Sequence, residues 1–196
     1  GLSLKDAKRE IKANGFVFGS VLEERFSDQE DQVVLAALGT DGDALGDVYP
    51  EQGVVDLIVS AGGIPDVVGL SAEKATAALE DVKLVVDPAL GSENYHAEIP
   101  AGDVISLTVN TDPVRPGDAV GLEISLGPEL FEVPAVADLP LREAISALEA
   151  AGFTTRTNPL FTGVILDQAV ATGTDPAAGE RVPAGTEIYI TGSLFG

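Results

Sequence analysis

The acidic stretch numbered 40–52 holds residue types that bind calcium. Counting from Asp41, an acidic residue stands at the third position, Asp43, and a glycine at the sixth, Gly46, as in the calcium loop of an EF-hand. Leu45 occupies the fifth position and a glutamine the twelfth, where such a loop has oxygen ligands. We therefore predict a solvated acidic turn, with weak calcium binding as the alternative.

The chain has few other residues suited to catalysis. His96 is its single histidine and stands in the loop-like stretch GSENYHAEIP, so no multi-histidine metal site can form. An exposed loop histidine is favoured over a lone ligand contact or a proton donor. The sequence has no cysteine, no GxxxxGK(S/T) phosphate loop and no kinase catalytic signature. We predict no catalytic residue, no resident metal and no cofactor.

Three arginines have the chemistry to hold the carboxylate of a ligand, since a guanidinium group can donate two parallel hydrogen bonds to it. They lie in or beside predicted strands: Arg115, Arg156 and Arg181. These are our candidate ligand-binding residues. A structural role, in which each arginine balances a neighbouring Asp or Glu, is favoured in so acidic a chain.

A second basic group lies near the N-terminus, where four of the eleven Lys and Arg residues follow helical spacing. They are Lys5, Lys8, Arg9 and Lys12. We hypothesise that this basic face meets an anionic polymer or the acidic surface of another copy of the chain. An ordinary solvated helix face is the favoured alternative.

Composition narrows the class of protein. The 196 residues carry a net charge of −21, so the chain repels phosphate backbones, and we expect no nucleic-acid partner. Hydrophobic residues make up 45% but aromatic residues only 5%, so the core must consist mainly of Val, Leu, Ile and Ala. No stretch approaches the roughly 18 apolar residues of a membrane span.

The elements that must position these residues are repeated along the chain. IPDVVGLSAEKATAALEDVKLVV, from Ile64 to Val86, aligns with VPAVADLPLREAISALEAAGFTT, from Val133 to Thr155, at an offset of 69. The opening GLSLKDAKREIKANGFVF aligns with the first of these at an offset of 68. Each unit closes with an alternating stretch, a hydroxyl residue and then Gly: VDLIVSAGG, GLEISLGP and EIYITGS. Three units of about 65 residues therefore fill the chain.

The sequence pattern of each unit predicts one helix followed by strands. Ser3 and Ser71 stand at the N-cap position, and Gly15 and Gly152 follow the helices where a left-handed residue is required. Apolar residues recur at helical spacing and then alternate. We predict an α+β fold of three tandem modules, 1–62, 63–128 and 129–196. Each is one α-helix packed on a three-stranded antiparallel β-sheet, and together they form an elongated rod.

The alternating runs locate the strands. In module 1 we predict strands over Phe16–Leu22, Gln32–Leu38 and Val54–Val59. The middle strands of modules 2 and 3 are predicted over Gly102–Asn110 and Gly163–Gly173. Asp-Pro pairs after both middle strands predict turns.

Two linkers join the modules, Ser60–Pro65 and Ser125–Pro134, and both hold Gly and Pro. The second also holds Leu130 and Phe131. We predict that these two residues pack between modules and fix their angle. The alternative is a flexible linker with two stray apolar residues.

The third unit carries a motif that the other two repeat in weaker form. Its members are Val133-Pro134, Glu143-Ala144, Ala151-Gly152-Phe153, Gly163-Val164, Asp175-Pro176, Gly179, Val182-Pro183, Gly185 and Ile188 to Thr191. The motif resembles PASTA domains, the modules of penicillin-binding proteins and bacterial serine/threonine kinases. The second unit keeps IPDVVG, GDVI, DP and VRPG. The first lacks the Val-Pro start and departs most in GTDGDALGDVYPEQG.

The resemblance implies an extracellular position, in the cell-wall space outside the bacterial plasma membrane, within a single-pass membrane protein. A cytoplasmic kinase domain would precede this segment. The start at Gly1 and the lack of Met lead us to expect a piece of a longer protein. The implied partners are peptidoglycan fragments (muropeptides). Self-association of the receptor is a further hypothesis. The family has no universal catalytic residue.

The leading hypothesis is therefore a cell-wall sensor segment of a membrane serine/threonine kinase. The alternatives are the C-terminal tail of a penicillin-binding protein and a spacer that binds no ligand. The acidity suggests one further contact, because a carboxylate-lined groove would attract the free amine of a peptidoglycan stem peptide.

Overall fold

The structure is a computed structural model that describes residues 1–45 and 49–194. The chain divides into two units, one of Gly1–Asn94 and Ile99–Ser125, the other of Tyr95–Glu98 and Leu126–Gly196. Within the described residues, buried apolar side chains form three clusters, two in the first unit and one in the second. The α+β class and the three small modules are confirmed. The module boundaries and the rod-like arrangement stay predictions.

Module 1 packs one helix on a three-stranded sheet. Helix α1 spans Leu4–Ala13, and strands β1, β2 and β3 span Val17–Arg25, Val34–Leu38 and Val54–Ser60. The hydroxyl of Ser3 accepts a hydrogen bond from a first-turn amide at 3.1 Å, which confirms the predicted N-cap.

The sheets are mixed, so the predicted antiparallel pairing is wrong. In module 1 the strand order is β1-β3-β2, and β3 pairs with β1 in parallel and with β2 antiparallel. The prediction assumed that each strand turns back on its predecessor. Instead the last strand lies between the first two and runs in the direction of the first. This position buries its apolar face, and Val55, Leu57 and Val59 are at most 1% exposed.

Module 2 repeats this plan with an interrupted first strand. Its elements are α2 (Ala72–Asp81), β4 (Val85–Val86), a 3-10 turn (Pro88–Leu90), β5 (Ser92–Asn94), β6 (Val104–Val109) and β7 (Ala119–Ser125). Both β4 and β5 pair in parallel with β7, and β6 pairs with it antiparallel. The 3-10 turn passes so close to β7 that a Cβ on Gly121 would meet the backbone carbonyl of Leu90. Glycine at this position is therefore a packing requirement.

Module 3 adds a short antiparallel strand pair, formed by residues distant in sequence, and a second helix. Its elements are β8 (Leu130–Glu132), α3 (Leu141–Ala150), β9 (Thr154–Thr157), α4 (Val164–Gln168), β10 (Val170–Asp175), β11 (Arg181–Pro183) and β12 (Glu187–Ser193). β12 is central, parallel to β9 and antiparallel to β10, while β8 pairs with β11.

The strand predicted over Gly163–Gly173 is wrong in its first half. A short apolar run such as Val164–Leu166 is compatible with either helix or strand, because its periodicity does not distinguish them. The chain forms α4 there, and Arg142 pairs with Asp167 of this helix at 2.6 Å.

The repeated hydroxyl residue at the end of the closing strand has a structural role. Ser60 and Ser125 are the buried polar side chains of the described residues, at 0% and 1% exposure. The Ser60 hydroxyl donates to the carbonyl of Gln29 at 3.0 Å, and the Ser125 hydroxyl donates to the carbonyl of Ile99 at 2.6 Å. Each serine thus fixes the loop that precedes the middle strand.

Of the two serines placed at N-caps by the sequence, only Ser3 forms the expected bond. Ser71 occupies the N-cap position of α2, but its side chain makes no capping hydrogen bond. The glycines after α1 and α3 are confirmed as left-handed, with φ of 81° at Gly15 and 89° at Gly152. Module 2 has Lys83 at the same place, with φ of 66°.

Replacing Lys83 with glycine should therefore stabilise the protein. A left-handed conformation costs a residue with a Cβ about 1–2 kcal/mol, and the added flexibility of glycine in the unfolded chain offsets part of the gain. We expect Lys83→Gly to raise the free energy of unfolding by about 0.5–1 kcal/mol in urea titrations. Lys83→Ala removes the charge and keeps the strain, so an equal gain in that variant would contradict the explanation.

Candidate functional site at the junction of modules 1 and 2

The end of β1 supplies a core residue to module 2. Phe26 follows β1 directly, is 9% exposed and belongs to the same buried cluster as Leu79, Leu84 and Val120 of module 2. Its backbone N–H donates to the carbonyl of Val114 at 2.8 Å. Both modules lie in one unit. Because Phe26 is buried in the core of module 2, part of the folding free energy of module 2 depends on a side chain of module 1.

The linker from Ser60 onward is bonded to the same strand end. The N–H of Ala61 donates to the carbonyl of Arg25 at 2.9 Å, and the N–H of Ser27 donates to the carbonyl of Gly62 at 3.0 Å. These two bonds flank Phe26 on both sides. They hold the first half of the predicted linker against the end of β1, from which Phe26 packs into module 2.

A loop of module 2 receives this strand end, and Asp118 holds the loop in shape. The carboxylate of Asp118 accepts the N–H of Arg115 at 2.9 Å and the hydroxyl of Thr111 at 2.8 Å. These two hydrogen bonds lower the pKa of Asp118 below its ordinary value, and the bond from the Arg115 backbone has the larger effect. The charged form of Asp118 therefore stabilises the loop.

The loop places Arg115 against module 1. Its Nε lies 3.1 Å from Oε1 of Glu23 in β1, and a terminal nitrogen donates to the carbonyl of Pro113 at 3.3 Å. The Arg115 side chain is 46% exposed, so this ion pair contributes at most about 1 kcal/mol. Its effect is mainly to orient the guanidinium group at the junction.

Two open clefts flank the junction. One, of about 480 Å³, lies between β1 and the loop and is lined by Leu22, Glu23, Arg115 and Pro116, among others. The other measures about 320 Å³. Its charged lining residues are Glu24, Asp31, Asp81 and Lys83. With three carboxylates against one ammonium group, the second cleft favours a cationic group.

The other two candidate arginines lie in the second unit, and each has a partner there. Arg156 in β9 lies 3.6 Å from a carboxylate oxygen of Glu187, and Arg181 in β11 donates to the carbonyl of Leu130 at 3.2 Å. Leu130 and Phe131 form part of β8 and are each 38% exposed. Their packing between modules stays a prediction.

The basic face of α1 is solvent-exposed at Lys5, Lys8, Arg9 and Lys12. Arg9 pairs with Asp6 at 2.8 Å, and Lys8 lies 4.5 Å from the ring centroid of Phe18. The hydrogen bond from Ser3 and the charge of Arg9 lower the pKa of Asp6. An interaction role for this face stays a prediction.

The remaining candidates lie in loops. Nδ1 of His96 accepts the N–H of Glu98 at 3.2 Å. In the acidic stretch, Asp41 accepts the N–H of Asp43 at 3.2 Å, while Gly46 lies outside the described residues. Among residues 1–45 and 49–194, no group of three His, Asp or Glu side chains is placed to hold a metal ion.

No helix in the same ranges has the length and apolar character needed to cross a membrane.

Comparison with known proteins identifies the repeated module. The PASTA domain model matches residues 63–126 and 131–193, which together make up more than half of the chain. The chain therefore belongs to the PASTA domain family, and the resemblance seen in the sequence is confirmed.

A curated relative covers nearly the whole chain. The probable serine/threonine-protein kinase PknB of Corynebacterium glutamicum is 29% identical over 97% of the chain. The chain spans 29% of the length of that kinase.

Two solved structures share the fold. One is the extracellular region of the Ser/Thr kinase PrkC from Staphylococcus aureus, with a TM-score of 0.53 and 22% identity, covering 99% of this chain and 68% of that one. The other is a three-PASTA-domain structure of a Ser/Thr kinase from the same organism, with a TM-score of 0.51 and 21% identity, covering 99% and 96%.

The sequence predicts Arg115 as a candidate residue but does not indicate Phe26, whose ring is buried at the junction. A signal for Phe26 was present, because this aromatic residue directly follows the charged end of a strand in a chain with few aromatics. Periodicity within module 1 could not show that its side chain serves the core of module 2.

Removing the Phe26 side chain should destabilise module 2. Truncating a buried phenylalanine costs about 3–5 kcal/mol, and we expect Phe26→Ala to lose about 3 kcal/mol. Hydrogen exchange should show lower protection for the amides of α2 and β7. Phe18→Ala, a change within the module 1 cluster, serves as the control and should affect mainly module 1. Unchanged protection of module 2 in Phe26→Ala would contradict the shared core.

The Asp118 carboxylate should make the junction sensitive to acid. Because its pKa is lower in the folded state, it stabilises the fold above the unfolded-state pKa of about 3.9. That stabilisation is lost as the pH falls through the folded-state pKa. In urea titrations between pH 6 and pH 2.5, wild type should be more stable than Asp118→Asn at the upper end, and the difference should shrink below about pH 4. A constant difference across this range would count against the assignment.

Proposed function

We propose that this chain is a non-catalytic, extracellular cell-wall-binding segment of a transmembrane serine/threonine kinase. The observation that carries the proposal is the match of nearly the whole chain to part of a probable kinase, together with membership in the PASTA family. The kinase domain would lie in the cytoplasm on the same longer polypeptide. Peptidoglycan fragments in the cell-wall space would be the ligand, and no cofactor takes part.

The segment would act by proximity. The modules would bind clustered ligand in the wall through individually weak sites. Several receptors are then held together, and the effective concentration of their kinase domains rises without any new contact between them. Self-association of the receptor follows from ligand clustering in this mechanism.

Muropeptides offer carboxylates and, in some stem peptides, a free amine, and the junction clefts can receive both. Arg115 is half exposed beside the larger cleft, where its guanidinium group can donate to a ligand carboxylate. The carboxylates of Glu24, Asp31 and Asp81 line the second cleft and would attract an amine. Arg156 and Arg181, both exposed, are the corresponding candidates in module 3.

A penicillin-binding protein tail is the second candidate function, because the same modules occur there. A relative that matches 97% of this chain is a probable kinase, which favours the first candidate. A spacer that binds no ligand is the third, and a binding experiment separates it from the other two.

Sedimentation with insoluble peptidoglycan tests the proposal. The chain should co-sediment with the wall polymer, and Arg115→Gln should weaken the apparent affinity roughly tenfold if the guanidinium binds a ligand carboxylate. Arg156→Gln and Arg181→Gln test module 3 in the same way.

Arg142→Gln is the matched control, since Arg142 is an exposed arginine that pairs with Asp167 and lines neither cleft. An equal loss in this variant would mean that binding follows net charge alone. Acetylation of the stem-peptide amines and addition of salt test the acidic cleft. If neither treatment weakens binding, the cleft does not bind the amine. No co-sedimentation at all would favour the spacer.

A further inference from the structure

Module 2 contains an open cleft between α2 and its interrupted first strand, which we call the helix cleft. The helix cleft measures about 480 Å³. Val86, Leu122 and Ile124 form its apolar part, and Thr76 and Glu93 add polar groups. Its described lining residues all belong to module 2, and none of them lines either junction cleft. The helix cleft is therefore a separate candidate site.

The corresponding place can be located in the other modules, because their helices and strands align. Phe18 of β1 and Val86 of β4 each pair in parallel with a buried residue of the central strand. The repeat offsets of 68 and 69 then give Thr76 the same helix position as Lys8 in module 1 and Ile145 in module 3.

The helix of module 2 has small side chains at the two positions that border the cleft. The first position holds Ala72, where module 1 has Leu4 and module 3 has Leu141. Leu4 packs against the buried cluster of module 1, and Leu141 belongs to that of module 3. The second position holds a threonine, where the other modules have a lysine and an isoleucine. The helix cleft is therefore the space that these two shorter side chains leave open.

The path of the first strand also shapes the cleft. After β4 the chain leaves the sheet as the 3-10 turn Pro88–Leu90 and rejoins β7 at Ser92. Pro88 and Gly91 of this detour line the cleft. In module 1 the first strand is a single element over Val17–Arg25.

In module 1 a lysine side chain fills the same place. The ammonium nitrogen of Lys8 lies 4.5 Å from the ring centroid of Phe18, so the methylene groups of this side chain extend from α1 to β1. In module 3, Ile145 packs against the buried cluster from the same helix position. The chain itself thus shows what fits between helix and first strand: an aliphatic side chain, which in module 1 ends in an amine.

Module 2 adds a carboxylate to this place. Glu93 in β5 pairs in parallel with Ile124, so the two side chains lie on the same face of the sheet. Glu93 is exposed, and among residues 1–45 and 49–194 no basic side chain forms an ion pair with it. A cation that enters the cleft can therefore place its charge beside an unpaired carboxylate and its hydrocarbon chain against Leu122 and Ile124.

We propose that the helix cleft binds an unbranched aliphatic primary amine, such as the side chain of a lysine, with its ammonium group at Glu93. The apolar residues stabilise the methylene groups, and the carboxylate favours the cation in a chain of net charge −21. Carboxylate and phosphate ligands are disfavoured for the same reason. The amine binds here whether or not the chain binds the cell wall, so failure to co-sediment with peptidoglycan leaves this proposal intact.

Titration of the full chain with Nα-acetyl-lysine methylamide tests the proposal. The methyl resonances of Val86, Leu122 and Ile124 should shift as the ligand is added. Glu93→Gln should weaken the apparent affinity roughly threefold to fivefold, which corresponds to the loss of an exposed ion pair. Asp81→Asn is the matched control, since Asp81 is an exposed carboxylate of the same module outside this cleft, and it should leave the affinity nearly unchanged.

A filled cleft and an uncharged ligand complete the test. Thr76→Ile introduces the residue that module 3 has at this position, and it should abolish the ligand-dependent shifts. The norleucine analogue of the ligand keeps the hydrocarbon chain without the amine and should bind about threefold to fivefold more weakly. The absence of shifts in wild type, shifts that persist in Thr76→Ile, equal losses in Glu93→Gln and Asp81→Asn, or equal binding of the norleucine analogue would each overturn the proposal.

A lysine-containing stem peptide, titrated in parallel, identifies the source of the amine. Tighter binding than that of the capped lysine indicates the cell wall as the source. Equal binding indicates a free amine or a lysine of another protein. Both results support the helix cleft as an amine site.

Discussion

The small size of each module is the constraint on which the rest of the structure depends. A unit of about 65 residues buries too little apolar surface to be comfortably stable alone. Modules 2 and 3 enlarge their interiors with the valines of the segments that lead into them, Val67 and Val136. Module 2 also takes Phe26 from the end of β1. The interior of one module is therefore completed by residues that lie outside its own helix and sheet.

This sharing explains the polar contacts around the junction. The bonds of Ala61 and Ser27 to the backbone hold the strand end in place, and the charged Asp118 shapes the loop that receives it. Weak exposed contacts are sufficient here because the buried ring of Phe26 supplies most of the stabilisation. In a chain of net charge −21, the Arg115–Glu23 pair also relieves local repulsion between acidic groups.

The parts of the fold that local patterns specify could be predicted from the sequence. Helix ends at Ser3, Gly15 and Gly152 and the strands of module 1 were within a few residues of the structure. Strand order could not be predicted, because alternation reports which face of a strand is buried and not which strand is its neighbour. The contact between modules 1 and 2 could not be predicted for a related reason. The residues that Phe26 packs against are distant in sequence, and a single aromatic residue has no periodicity.

Phe26 also has an evolutionary consequence. Repeats that share nothing can be gained, lost or recombined one at a time, because each copy leaves an intact neighbour behind. A recombination event that removed module 2 would leave the aromatic ring of module 1 exposed to water, and one that removed module 1 would leave a hole in the interior of module 2. Modules 1 and 2 are therefore expected to be inherited together as a pair.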